Sequence, residues 1–291
     1  MLAQTFEQLE KIHPQTLMGA VHLKVSDLER SLEFYSNALG MQVQNRNGNH
    51  AILGAGDSRL VHLTGNPDAV QPGRKTGLYH FALLLPSRLE LARAIQRLSS
   101  SRWPLQGFAD HLVSEAVYLE DPDGIGIELS RDRPRNEWRT DSAGRIAMGT
   151  NPLDLQGVMT ELSRDKDGAA PMHPDSRMGH VHLRVSDLAA AVAFYRDVLG
   201  FDLTNDSFPS AAFLSAGGYH HHLGLNTWMG VGIPAPPENA VGLQHLTLQL
   251  PGREDVAALK SRLDNAVIGY SEAADGLLVR DPSHNGVLIV T

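Results

Sequence analysis

The chain has 291 residues, 42% hydrophobic and 20% charged, with a formal net charge of −8. That length accommodates two domains with real cores, and the acidic balance argues against nucleic acid or an anionic membrane as partner. With no cysteine there is no disulfide, thiolate nucleophile or cysteine-held cluster, so any metal must sit on His, Asp or Glu, and fourteen His are present.

In chain order, the opening stretch MLAQTFEQLEKIHPQT lacks the basic start and apolar run of a signal peptide. No stretch approaches the roughly 20 apolar residues of a membrane helix, so a cytoplasmic location is the default expectation. Val21–Gly40, VHLKVSDLERSLEFYSNALG, recurs half a chain later as Val181–Gly200, VHLRVSDLAAAVAFYRDVLG. GLYHFALLLP from Gly77 likewise returns as GLQHLTLQLP from Gly242, and the Asp121-Pro122 turn as Asp281-Pro282. A duplicated half, each half made of two similar units, explains the pattern.

Each unit reads as strand, helix, then three strands. In the third, Val181, Leu183 and Val185 share one strand face while His180, His182 and Arg184 share the other. Ser186 is expected to cap a helix that stops at Gly200. Short strands follow in FDLTN, AAFLSAG and HHHLGLNTW. The apolar faces pack on the helices, which turns the histidine faces into a concavity. The fold class is therefore α+β: four βαβββ modules in two halves, residues 1–131 and 178–291. The connector, 132–177, contains Pro134, Pro152, Pro171 and Pro174 and a short helix around Leu153–Leu162, and is long enough to let one half swing around the other.

The segment HLVSEAVYLEDPDGIGIEL, residues 111–129, places Glu128 inside an apolar strand. Ile125, Ile127 and Leu129 alternate there with Gly124, Gly126 and Glu128. A carboxylate on the polar face of such a strand is either solvated or holding something. Asp121 and Asp123 read as turn formers.

The βαβββ unit resembles the module of the vicinal oxygen chelate superfamily, which includes glyoxalase I, bleomycin-resistance proteins and type I extradiol dioxygenases. More narrowly, His111, Val117-Tyr118, Asp121-Pro122, Gly124 and Glu128 resemble the extradiol dioxygenase signature in order and spacing; Ala109 departs from the residues usual two places before the His. The resemblance implies a metal held by two His from first strands and one Glu from a last strand, a facial triad suited to Fe(II), with Mn(II) as the alternative ion. First-strand slots hold Ala20, His80, His180 and His245; last-strand slots hold Glu128 and Leu288. Neither half is complete, so the resemblance implies His80, Glu128 and His180 as metal ligands, with units two and three paired and units one and four left as a metal-free counterpart.

The same resemblance gives Tyr118 and His111 hydrogen bonds to the substrate oxygen. It also expects a His near the last strand of unit three as acid or base. By parity only His220 and His222 share a face, and His222 is the closer match. His22 and His182, two residues beyond the ligand slots, read as hydrogen-bonded structural histidines. Leu84, Leu223 and Trp228 are expected to wall the pocket. The implied function is ring opening of a catechol beside its diol by O₂, to a muconic semialdehyde-type product. The partners are then a small aromatic diol and O₂, with no nucleic acid or membrane; a homo-oligomer is compatible. A glyoxalase-like isomerase, an epimerase, a thiol transferase or a bleomycin-resistance-like binder are the rival readings.

Overall fold

Period-two burial builds the strands, which a computed structural model describes over residues 10–164, 170–274 and 276–291. Residues 1–9, part of the stretch read above for a leader, lie outside the described residues. Unit one is β1 (Leu17–Val25), α1 (Leu28–Glu33), β2 (Gln42–Asn47), β3 (His50–Ala55) and β4 (Ser58–Gly65). Unit two is β5 (Gly77–Leu84), α2 (Arg88–Ser100), β6 (Leu105–Asp110), β7 (Ser114–Glu120) and β8 (Gly126–Asp132). The segment between the halves holds α3 (Leu155–Thr160). Unit three is β9 (Arg177–Arg184), α4 (Leu188–Ala193), β10 (Asp202–Asn205), β11 (Ala211–Ser215) and β12 (Leu223–Asn226). Unit four is β13 (Gly242–Gln249), α5 (Arg253–Asn265), β14 (Tyr270–Ala273), β15 (Gly276–Arg280) and β16 (Gly286–Val290).

The units pair across the halves. One eight-stranded sheet runs β14-β15-β16-β13-β1-β4-β3-β2, joining units four and one; the other runs β10-β11-β12-β9-β5-β8-β7-β6, joining units three and two. Antiparallel ladders make both junctions, β1 on β13 and β5 on β9. Val21, Leu23 and Val25 are buried in the core, as are Val181, Leu183 and Val185, and each such side chain contributes about 1.5–3 kcal/mol by leaving water.

Asp27 and Asp187, not the preceding serines, cap α1 and α4, accepting the Arg30 and Ala190 N–H groups. A one-carbon-longer acceptor one residue later satisfies the open helix end, which frees the serines for another task. Ser26 donates its N–H and hydroxyl to Asp123, and the Ser186 N–H reaches the Ser283 hydroxyl. Both bonds tie a unit to the next one within its half. A second tie repeats with them. α1 and α4 widen into π-helical turns, Phe34–Ala38 and Phe194–Val198, from which the Tyr35 and Tyr195 hydroxyls donate to Asp121 and Asp281, each at 3.1 Å. Asp121 Oδ1 meanwhile accepts the Asp123 and Ile125 N–H groups, closing the turn before β8. Among the described residues no helix is long and apolar enough to cross a membrane.

Candidate metal centre

Sheet register alone brings three polar side chains together. Across β8, β5 and β9, Glu128 is the partner of Ala82 and Ala82 of His180, so the three share one row and one face. His80, two residues before Ala82, shares that face, opposite Gly126 and His182. Neighbouring strands lie about 4.8 Å apart, which separates the outer two Cα atoms of the row by about 10 Å. Ala82, fully buried, leaves the space over which Glu128 and His180 reach toward one another.

The converging atoms form a near-equilateral triangle. Glu128 Oε2 is 3.2 Å from His80 Nε2 and 3.1 Å from His180 Nε2, and the two nitrogens are 3.2 Å apart. Three donors in cis positions around one ion, with bonds of about 2.1 Å, would be separated by about 3.0 Å, so the set fits a single cation. Two imidazole nitrogens and one carboxylate oxygen are also the donor chemistry of non-haem Fe(II) sites. All three residues are buried. Burial pulls the His80 imidazolium below its ordinary range, the Glu128 hydrogen bond opposing. For Glu128, burial pushes upward, but His180 and His80 outweigh it and hold the carboxyl well below the usual range. Among the described residues no other three His, Asp or Glu side chains converge in this way.

Tyr118 lies directly opposite Glu128 on β7 and His111 lies in the turn before that strand. His111 Nδ1 is 2.6 Å from the Gly149 carbonyl, which can only accept, so Nδ1 carries a hydrogen. In the neutral ring Nε2 is then an acceptor, and the Tyr118 hydroxyl, 2.6 Å away, donates to it. Burial, then the Glu128 carboxylate beside it, pushes the Tyr118 phenol well above its ordinary range.

These side chains line a cavity of about 280 Å³ with Tyr79, His182, Phe213, His221 and Trp228. Of the expected wall, Trp228 is present, but Leu84 and Leu223 are not. Leu223 is the partner of Val181 and shares its core-facing side; Leu84 packs against Gly179. The segment between the halves supplies Met148, Gly149 and Thr150 instead, wall residues that no sequence signal indicated.

His222, the residue expected as acid or base, does not line this cavity. His222 lines a separate small cavity and accepts the Ala216 N–H at Nδ1, 3.1 Å away. Burial lowers its pKa to about 3. His221 reaches the main cavity, its ring 4.1 Å from that of His180. Parity failed because residues 220–222 precede β12, which begins at Leu223, in a bend. His182, read from sequence as a hydrogen-bonded structural residue, lines the cavity with its Nε2 lacking a partner.

The matching row of the other sheet carries Thr247 beside Leu288, with Ala20 and His245 in the remaining slots. There His22 lies between His62, tilted against it at 4.0 Å, and His245, stacked on it at 3.9 Å. Among the described residues these three rings do not bring one ligand atom each to a common point.

The model of the glyoxalase/bleomycin resistance protein/dioxygenase superfamily matches residues 17–129 and 177–287. A catechol-2,3-dioxygenase of Bacillus subtilis (strain 168) is 45% identical over 278 residues, covering 94% of this chain and 96% of the relative. A biphenyl-2,3-diol 1,2-dioxygenase of Pseudomonas sp. (strain KKS102) is 24% identical over 266 residues, 86% of this chain and 77% of the relative. The crystal structure of glyoxalase I from Zea mays superposes with a TM-score of 0.58 at 18% identity, covering 95% of this chain and 92% of that one, a likeness of fold.

Proposed function

The chain belongs to the glyoxalase/bleomycin resistance protein/dioxygenase superfamily, and from that membership we propose that it is an Fe(II)-dependent extradiol dioxygenase. It opens a catechol ring beside the diol with O₂, giving a muconic semialdehyde-type product. The observation that carries this reading is the 3.1–3.2 Å triangle of His80, Glu128 and His180 beside the Tyr118–His111 pair. A glyoxalase-like centre ordinarily takes four protein ligands, and the converging group here has three.

His80, Glu128 and His180 would hold the iron, or Mn(II) in its place. Bound there, the ion supplies a Lewis acid that eases deprotonation of a catechol hydroxyl and a route for electrons from ring to O₂. The chain's own residues do the rest. Tyr118, its hydrogen directed at His111, keeps oxygen lone pairs free to accept from a substrate hydroxyl. Gly149 holds the His111 ring in the tautomer that makes this so. His221 takes the role first expected of His222: it exchanges a proton with the substrate on the side opposite Tyr118. Tyr79, Phe213 and Trp228 confine a flat ring and exclude water, which strengthens each polar contact inside.

An oxygen electrode tests the proposal. Protein loaded anaerobically with Fe(II) should consume one O₂ per catechol and form a yellow semialdehyde. Recovery of muconate, or no O₂ uptake with a panel of catechols, contradicts it.

A further inference from the structure

Behind His221 a hydrogen-bonded line runs from the cavity to the surface. His221 Nδ1 is 2.8 Å from His220 Nδ1, and His220 Nε2 is 3.0 Å from Asp132 Oδ1. Asp132 closes β8, its side chain 21% exposed, while the His220 side chain is 1% exposed. Tyr219 and Trp138 flank the His220 ring at 4.0 and 5.2 Å, and its backbone carbonyl accepts the Thr204 hydroxyl. The proposed reaction assigns no task to His220 or Asp132.

The partners decide where the hydrogens sit. A carboxylate accepts and does not donate, so His220 carries its hydrogen on Nε2. In a neutral ring Nδ1 is then bare, and the hydrogen between the two imidazoles belongs to His221 Nδ1. His221 is left with a bare Nε2, a proton acceptor.

We propose that Asp132, acting through His220, is a positioning residue that fixes His221 as the Nε2-acceptor tautomer and connects it to solvent. The inference rests on the reading of the cavity as a dioxygenase site. When a substrate hydroxyl gives its proton to His221 Nε2, the Nδ1 hydrogen passes to His220 Nδ1. The His220 Nε2 hydrogen then passes to Asp132, which releases it to water. Each handover moves one proton and no electrons. It leaves His221 with its hydrogen on Nε2, so the ring that began as a base is set to act as an acid toward the product side.

The test reads tautomers directly. Protein carrying ¹⁵N-histidine, with diamagnetic Zn(II) in place of iron, is examined by long-range ¹H–¹⁵N correlation. The two signals are assigned from His220→Gln and His221→Gln. Wild type should show His220 as the Nε2–H form and His221 as the Nδ1–H form. Asp132→Asn, which can donate where Asp accepts, should invert both, while Asp132→Glu should keep them. In a Ser–His–Asp triad the same Asp→Asn change costs about 10⁴-fold in kcat through the wrong tautomer. Here kcat of the iron enzyme should fall 10²–10⁴-fold with KM and iron content little changed, and Asp132→Glu should restore most of it. A His221 signal of the Nε2–H or doubly protonated form in wild type overturns the proposal. So does an Asp132→Asn protein that loses activity with both tautomers unchanged, or that keeps full activity. Wild type with the expected tautomers but no ring cleavage would instead refute the dioxygenase reading and leave the hydrogen-bonded device standing.

Discussion

Ala82→Leu probes the geometry of the centre without touching a ligand. Ala82 is fully buried and sits in register between Glu128 and His180 on the strands to either side. The added isobutyl carbons enter the space over which those side chains meet at 3.1 Å. Overpacking a filled interior costs about 1–3 kcal/mol, which for a chain of this size lowers Tm by about 2–12 °C at 2–4 °C per kcal/mol. The ligands themselves are what the new side chain displaces, so metal affinity should fall at least 10–100-fold, the range seen when supporting residues of a metal site are lost. Thr247→Leu is the control: Thr247 occupies the same row position beside Leu288 in the other sheet, where it lines a cavity, and should leave bound metal unchanged. The assay is calorimetry alongside metal titration of both variants. Ala82→Leu protein with wild-type metal affinity would refute the row argument, and equal metal loss from Thr247→Leu would show that general destabilisation is being read instead.

Tyr118→Phe removes the hydroxyl that donates to His111 and should keep metal content while lowering kcat about 10²–10⁴-fold; purification without metal would make Tyr118 a ligand. Glu115, almost fully buried, faces Arg88, Arg131 and Arg133, so Glu115→Ala should destabilise the fold by about 3–5 kcal/mol, measured by urea unfolding; a loss below about 1 kcal/mol would refute the reading. Burial first, then neighbouring rings, lowers His22 to about 3 and His245 to about 4. The unfolded chain therefore binds more protons between those values and about 6.5, and stability present above 6.5 is lost as pH falls through that window. The two rings give a slope of at most about 2.7 kcal/mol per pH unit; His22→Gln should flatten it, and an unchanged urea-midpoint profile between pH 6.5 and 4 would contradict the assignment.

Much of the centre was legible because its residues lie in regular strands, where a period of two holds. His80, His180 and Glu128 sit in β5, β9 and β8, and their slots could be read by matching the repeated units to one another. The pairing of units two and three followed from Ala20 and Leu288, each lacking a donor. That His221 rather than His222 lines the cavity was not legible, because the chain bends just before β12 and parity has no meaning in a bend. Met148, Gly149 and Thr150 were missed for a related reason: they belong to irregular backbone, whose position is set by tertiary contacts such as the Asp110–Asn151 bridge. Ser186 was read as a cap because serine suits that position chemically; Asp187 caps instead, which leaves Ser186 to bond Ser283 in the next unit.

In the proposed centre one metal is shared by the two halves of the chain, held by His80 and Glu128 from one and His180 from the other. Iron bound per chain, measured on wild type, His180→Ala and His245→Ala after identical anaerobic loading, tests it most directly. Wild type and His245→Ala should retain about one iron, while His180→Ala, left with two protein ligands, should retain almost none. Full iron in His180→Ala, or its loss in His245→Ala, would contradict the shared site.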